Sequence, residues 1–239
     1  MLSFWATINI ANRHFCLRRI KVFSQHKNVI VGLFLVSVLA VSLFGAYWLS
    51  TLPKPLLASE IQEYQGEDLS KINDFRENSI KGPQNINKTT YTLNITGIVD
   101  NPTVYSYDEV LNHQKYEKVV TLNCVEGWSV KILWEGILLK DLFNEVDVQP
   151  NASVVILYAV DGYSTSFPIE YITGNNILLA YKMNGLEIPA ERGFPFMLVS
   201  ESQYGYKWIK WITGIELSDN VNFRGYWESR GYPNDASLR

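Results

Sequence analysis

Thr121-Leu122-Asn123-Cys124-Val125-Glu126-Gly127-Trp128 runs from a strand-like stretch into a Gly-Trp turn, with a cysteine at the join. A thiolate suits soft or borderline metals, and a strand-to-loop junction can point sulfur into a cleft while rigid backbone supports it. Free cysteine is also among the most buried residue types. Spacing alone therefore leaves two readings of Cys124, a packed thiol or a metal ligand, and the rest of the chain has to decide between them.

The 239-residue chain has two cysteines, and an apolar segment separates them. No charge occurs between Lys27 and Lys54, and Val29 to Leu49 is almost wholly apolar. At about 1.5 Å per residue such a segment crosses a hydrocarbon core of roughly 30 Å. The pattern predicts a transmembrane anchor over 28–52, with Tyr47 and Trp48 at the headgroup level. Arg13, Arg18, Arg19, Lys21 and Lys27 precede it without an acid, which puts residues 1–27 in the cytoplasm and the bulk of the chain beyond the cell membrane. A cleaved signal would have a shorter apolar core and a small-x-small exit, where this chain has Tyr47-Trp48-Leu49, so a retained anchor is expected. Arg18-Arg19 ahead of the apolar run also has the form of a twin-arginine export signal. Six cations and no acids before Pro55, against a chain total of −3, leave −9 beyond it. An acidic exported domain argues against nucleic acid as a partner.

Cys16 on the cytoplasmic side and Cys124 outside cannot pair within one molecule. Without a CxxC there is no simple cysteine zinc site, c-type haem attachment or four-cysteine iron–sulfur cluster. His14 and His26 precede the span and His113 stands alone beyond it, which gives little support to histidine-rich metal sites or a Cys–His nucleophile pair.

Residues 53–88 have few large apolar side chains and read as a juxtamembrane linker or irregular extension, with a short helix near Leu69–Phe75. The globular domain is expected over 89–239, a size that one hydrophobic core serves. Tyr91–Val99 alternates as a half-buried strand, and Ser106 with Glu109 forms a capping box for a helix through Leu111. Lys118–Leu122 is the next strand, and Trp134–Ile137 leads into an amphipathic helix over Leu139–Val146. Ser153–Val160 and Ser164–Phe167 read as a hairpin turned by Asp161-Gly162-Tyr163. A helical turn at Ile169–Thr173, strands at Ile177–Tyr181, Phe196–Val199 and Trp211–Leu217, and a ribbon over Met183–Pro189 complete the pattern. Short strands outnumber short helices and no βαβ repetition appears, so the domain is α+β, mainly β.

Two further loops offer chemistry. Arg192-Gly193-Phe194-Pro195 and Tyr204-Gly205-Tyr206-Lys207-Trp208-Ile209-Lys210-Trp211 combine glycines for close backbone approach, cationic donors and flat aromatic walls. Together these suit an anionic planar ligand such as a phosphorylated heterocycle. The competing reading makes Trp208 and Trp211 core residues and the lysines solvated.

The order of the segments LNCVEGWSVKILWEGILLKDLF, DGYSTSFPIE, LLAYKMNG, RGFPFMLVSESQYGYKWIKWITGIEL and GYWESRGYP resembles the molybdopterin-binding domain of the sulfite oxidase superfamily, over roughly Tyr91 to Tyr232. The likeness is closer to its exported or membrane-associated bacterial branch, which includes the catalytic subunit of periplasmic methionine sulfoxide reductase. It implies that Cys124 ligates molybdenum and that Ser164 lies near the pterin. It also implies that Trp208, Ile209 and Lys210 cradle the phosphate end, with Lys207 adjoining. Soft sulfur ligation fits a redox metal that cycles while oxygen atoms are gained or lost.

Two departures stand out. Arg192 replaces the reductases' Asn before the Gly-x-Pro turn, and Met197 replaces their Arg after it. Loss of that arginine removes a strong anion-binding fork, and Arg192 is positioned five residues upstream to supply the charge. With no haem domain or iron–sulfur ligands within the chain, electrons must pass through a separate partner, and a membrane cytochrome or quinone-linked subunit fits the anchor. Sulfite, sulfoxides and other small oxides all suit oxygen-atom transfer, and Glu126 disfavours anionic substrates where it points inward. The rival is a cofactor-free binding or scaffolding module that keeps the fold, with Met197 as its support.

Overall fold

The computed structural model describes residues 33–49, 57 and 59–238. The chain divides into two units, Met1–Pro53 and Lys54–Arg239. In the first, residues 33–49 form helix α1, which exposes apolar side chains such as Leu33, Leu39, Phe44 and Trp48. Among the described residues no helix is long and apolar enough to cross a membrane. The basic 1–27 segment, Cys16 and both ends of the expected 28–52 span lie outside the described residues.

The second unit begins with a small ribbon, β1 (Glu63–Tyr64) and β2 (Glu67–Asp68). There follow β3 (Thr92–Gly97), β4 (Thr103–Ser106), α2 (Tyr107–Leu111), β5 (Tyr116–Asn123), β6 (Ser129–Leu138) and α3 (Leu139–Glu145). Then come β7 (Val154–Ala159), β8 (Ser164–Pro168), α4 (Ile169–Gly174), β9 (Leu178–Met183), β10 (Leu186–Glu187), β11 (Met197–Val199) and β12 (Ile212–Ser218). One five-stranded sheet has the order β4-β3-β12-β7-β8, with β3 and β12 parallel and the other pairs antiparallel. The other has the order β10-β9-β6-β5, with β11 also on β9. The architecture is α+β and mainly β. The capping box is real: Ser106 Oγ accepts from Glu109 N–H, and Glu109 accepts from Ser106 N–H at 2.7 Å.

The largest difference from the sequence reading is β6. Trp134-Glu135-Gly136 reads as a lead-in to a helix because glycine punctuates it, yet all three lie inside a ten-residue strand paired with β5 and β9. Gly136 is required there by proximity: a Cβ would stand 2.3 Å from the Leu179 carbonyl oxygen. Cys124 is thus the first residue of a tight hairpin between β5 and β6, closed by Cys124 N–H to the Trp128 carbonyl at 2.9 Å.

Leu178–Tyr181 of β9 and all of β11 are apolar on both faces. Since side chains alternate along a strand, Leu179, Tyr181, Phe196 and Leu198 enter one core, with Leu93, Ile95 and Ile215. Leu178, Ala180, Met197 and Val199 enter a second, with Ile132, Trp134, Trp208 and Cys124. The segment expected as a linker helps to cover this second face. Ile72 and Phe75 are buried in it, around a 3-10 turn at Ile72–Asp74 where a short helix was expected. A buried polar knot fastens the segment. Asn184, fully buried in the β9–β10 turn, accepts from Leu133 N–H at 3.0 Å and donates to Glu60 at 3.0 Å and to the Ser70 carbonyl at 2.8 Å. Asn184→Ala leaves these groups unpaired and should cost about 1–3 kcal/mol. Urea unfolding would measure the loss, with proteolysis appearing first in 60–80; an unchanged midpoint would refute the knot's role.

Candidate active site around Cys124

The β5–β6 hairpin places Cys124 on the wall of a cavity of about 270 Å³. Other parts of the chain complete it, among them the strap 75–80, the stretch Gly205–Trp211, and the C-terminal residues Trp227 and Tyr232. The second of these reaches Cys124 through a parallel bridge between Asn123 and Tyr204, and Gly205 packs beside it, its Cβ position 3.4 Å from Cys124 Cα.

Of the residues singled out in the sequence, Cys124, Trp208, Ile209 and Lys210 meet on this wall. Trp208 packs against Trp134 with ring centroids 5.7 Å apart and donates its indole N–H to the Gln203 carbonyl. Trp208 and Trp211 are core residues, as the competing reading held, but the lysines are not solvated. Lys210 is 9% exposed, with Nζ 4.2 Å from the centre of the Trp211 ring and 3.3 Å from Glu77. Burial pulls its pKa down, Glu77 pulls it back up, and nearby Arg192 adds a further lowering.

The remaining three lie elsewhere. Lys207 is 1% exposed, and its Nζ bonds Glu228 at 2.7 Å and the Ser166 carbonyl at 2.6 Å, so it is engaged inside the protein and does not line the cavity. Ser164 opens β8 and its carbonyl accepts from Tyr226 N–H; Asp161 and Tyr163, just before it, are the wall residues. Arg192 lies under the strap with its guanidinium carbon 5.6 Å from the Phe75 ring centre. It is 8% exposed, and its Nε and one terminal nitrogen have no hydrogen-bond partner. Met197, at the position of the departure, lines the cavity.

Sequence reasoning missed the strap. Phe75, Arg76, Asn78, Ser79 and Ile80 all face the cavity, and the polar composition of 53–88 concealed them. Arg76 is exposed and makes no ion pair with a described residue. Glu126 accepts from the Trp128 indole at 3.0 Å and from Asn78 at 3.4 Å. His113 lies away from the cavity, bridging α2 to Glu145 of α3 at 2.9 Å.

The donor set fits a molybdenum–pterin group. A single thiol faces the cavity, aromatic walls flank it, and two buried cations stand together, one of them with unpaired nitrogens. Buried unpaired donors are costly and point to a missing acceptor, and an arginine fork matches phosphate.

The comparisons agree. The model for the oxidoreductase molybdopterin binding domain matches residues 80–227. An uncharacterized oxidoreductase of Bacillus subtilis, YuiH, is 34% identical over 145 residues, covering 60% of this chain and 73% of that protein. The protein-methionine-sulfoxide reductase catalytic subunit MsrP of Gluconobacter oxydans is 29% identical over 178 residues, 64% of this chain and 57% of its own length. The sulfane dehydrogenase SoxCD of Paracoccus pantotrophus has a similar fold, with a TM-score of 0.58 at 20% identity, covering 72% of this chain and 52% of that one. The chain belongs to the oxidoreductase molybdopterin-binding domain family, of the sulfite oxidase type, and its cofactor is molybdopterin. It spans little more than half the length of the reductase and the dehydrogenase.

Burial is the main reason that the Cys124 pKa is raised; Glu126's charge adds to it, while backbone N–H groups and Arg76 oppose it. In metal-free protein the thiol should therefore alkylate slowly at pH 7 and faster as pH climbs past the ordinary cysteine value of about 8.5. A rate equal to that of a free thiol at pH 7 would contradict the burial.

Proposed function

We propose that this protein is a membrane-anchored molybdopterin oxidoreductase that carries out two-electron oxygen-atom transfer on a small substrate. The observation that carries the reading is one buried thiol and Lys210 on the wall of one cavity, with the unpaired nitrogens of Arg192 close to Lys210. In this reading Cys124 is the metal ligand, and Arg192 and Lys210 hold the anionic end of the cofactor. The bound group would supply the two-electron redox chemistry. The chain contributes what surrounds it. Cys124 must give up its proton to ligate, so its raised pKa makes binding easier at higher pH. Trp208, Ile209 and Met197 exclude water, and Arg76 presents a guanidinium to a substrate oxygen.

Sulfoxide reduction is the favoured direction, because relatives carry that name and because Glu126 on the wall opposes a bare anion. In net terms a sulfoxide, two electrons and two protons give a sulfide and water. A membrane cytochrome or quinone-linked subunit would supply the electrons. The apolar 28–52 segment behind a basic 1–27 supports an anchored domain outside the membrane; release of the full-length protein by alkaline extraction would overturn the anchor.

Full-length protein from a molybdenum-replete host that makes the pterin should contain both metal and pterin, and their absence refutes the reading. Cys124→Ala should lower turnover by more than the roughly 10–100-fold typical of losing an outer-shell partner. Arg192→Ala should lower pterin and metal occupancy, with Arg192→Lys restoring part of it because charge without the fork is retained. Unchanged occupancy in Arg192→Ala would remove Arg192 from the site.

A further inference from the structure

The motif Gly225-Tyr226-Trp227-Glu228-Ser229-Arg230-Gly231-Tyr232 has no role in the chemistry assigned above. Its attachment is unusually firm for a segment outside both sheets. Glu228 is 1% exposed, and its Oε1 accepts from Lys207 Nζ and from Thr165 Oγ1, each at 2.7 Å. Gly225 presses on β8 so closely that a Cβ would stand 2.2 Å from the Ser164 carbonyl oxygen, and Tyr226 N–H donates to that same oxygen at 2.9 Å. A buried charge pair is costly to desolvate and is weak evidence of stabilisation by itself. Here it fixes a position.

What it positions is an aromatic wall. Trp227 and Tyr232 border the cavity with ring centroids 5.3 Å apart, and Tyr232 meets Tyr206 at 5.0 Å. Phe75 and Trp128, 5.7 Å apart, border the same cavity. The Tyr206 hydroxyl is engaged by the Pro233 carbonyl, so that residue offers ring and not hydroxyl. Aromatic faces carry negative charge density; they attract apolar groups, ring edges and sulfur, and offer nothing to a bare oxyanion.

We propose that Trp227 and Tyr232 are specificity-determining residues, selecting a sulfoxide that carries an aromatic or other apolar substituent, and that Glu228 and Lys207 are positioning residues for this wall. The proposal rests on the oxygen-atom-transfer reading of the Cys124 cavity.

The test is a titration of molybdenum-loaded full-length protein, without an electron donor, with methyl phenyl sulfoxide and with dimethyl sulfoxide. Wild type should bind the phenyl compound about tenfold or more tightly than the dimethyl one, in line with pocket discrimination on small apolar groups. Trp227→Ala and Tyr232→Ala should each lose most of that preference, with dimethyl sulfoxide binding and molybdenum content unchanged, and Trp227→Phe should regain it. No preference in wild type, or one that survives both alanine variants, overturns the proposal. Loss of molybdenum in those variants also overturns it, by assigning the wall to the cofactor. With reduced benzyl viologen as donor, Glu228→Gln should raise KM for the phenyl substrate alone and leave kcat unchanged; an equal effect on both substrates would reduce the pair to a structural role. A wild type that shows the binding preference but reduces neither sulfoxide would refute the reaction while leaving the wall in place.

Discussion

A sheet with two apolar faces has to be covered twice, and this constraint organises the domain. Alternation along Leu178–Tyr181 of β9 and along β11 sends every second side chain into one core and the rest into the other. The first core is closed by the β3–β12–β7 sheet. The second is covered partly by material that belongs to no sheet: the strap with Ile72 and Phe75, and the loop with Trp208. Because these covers are irregular, they do not seal, and the cavity beside Cys124 is the space between them. Site and core are in this sense the same problem, with the thiol counted among the core side chains and also on the cavity wall.

The charges follow from that arrangement. Lys207, Lys210 and Arg192 are all buried, but each is answered differently. Lys207 has a full internal partner in Glu228, Lys210 has a longer contact to Glu77, and Arg192 has unpaired nitrogens. Burying an unpaired charge is expensive, so the three form a series from a fully answered cation to an unanswered one. The sequence places Lys207 with Lys210 because they are three residues apart; the 3-10 turn at Gly205–Lys207 sends them to different surroundings.

Much of the fold was legible because local chemistry and tertiary structure agree. The Ser106–Glu109 box, the Asp161-Gly162 hairpin and the buried runs at β7 and β9 each carry a local signal that survives in the structure. β6 was not legible, since Gly136 signals a turn locally and is demanded instead by the neighbouring strand. Cys124, Trp208, Ile209 and Lys210 were recoverable from ordered motifs. Arg76 and the strap were not, because a polar, irregular stretch gives no periodic signal, and its burial depends on Asn184, more than 100 residues away.

The parallel pairing of β3 with β12 joins Asn94–Gly97 to Gly214–Leu217, so the first strand of the main sheets waits for the last. Such a non-local contact has to be made against the entropy of the long intervening chain. Since the stretch holding Trp208 to Lys210 lies just before β12, the two halves of the site come together only when nearly the whole domain has been made. Closure of the cavity is thereby tied to completion of the chain: a truncated product has the thiol but not the wall that faces it.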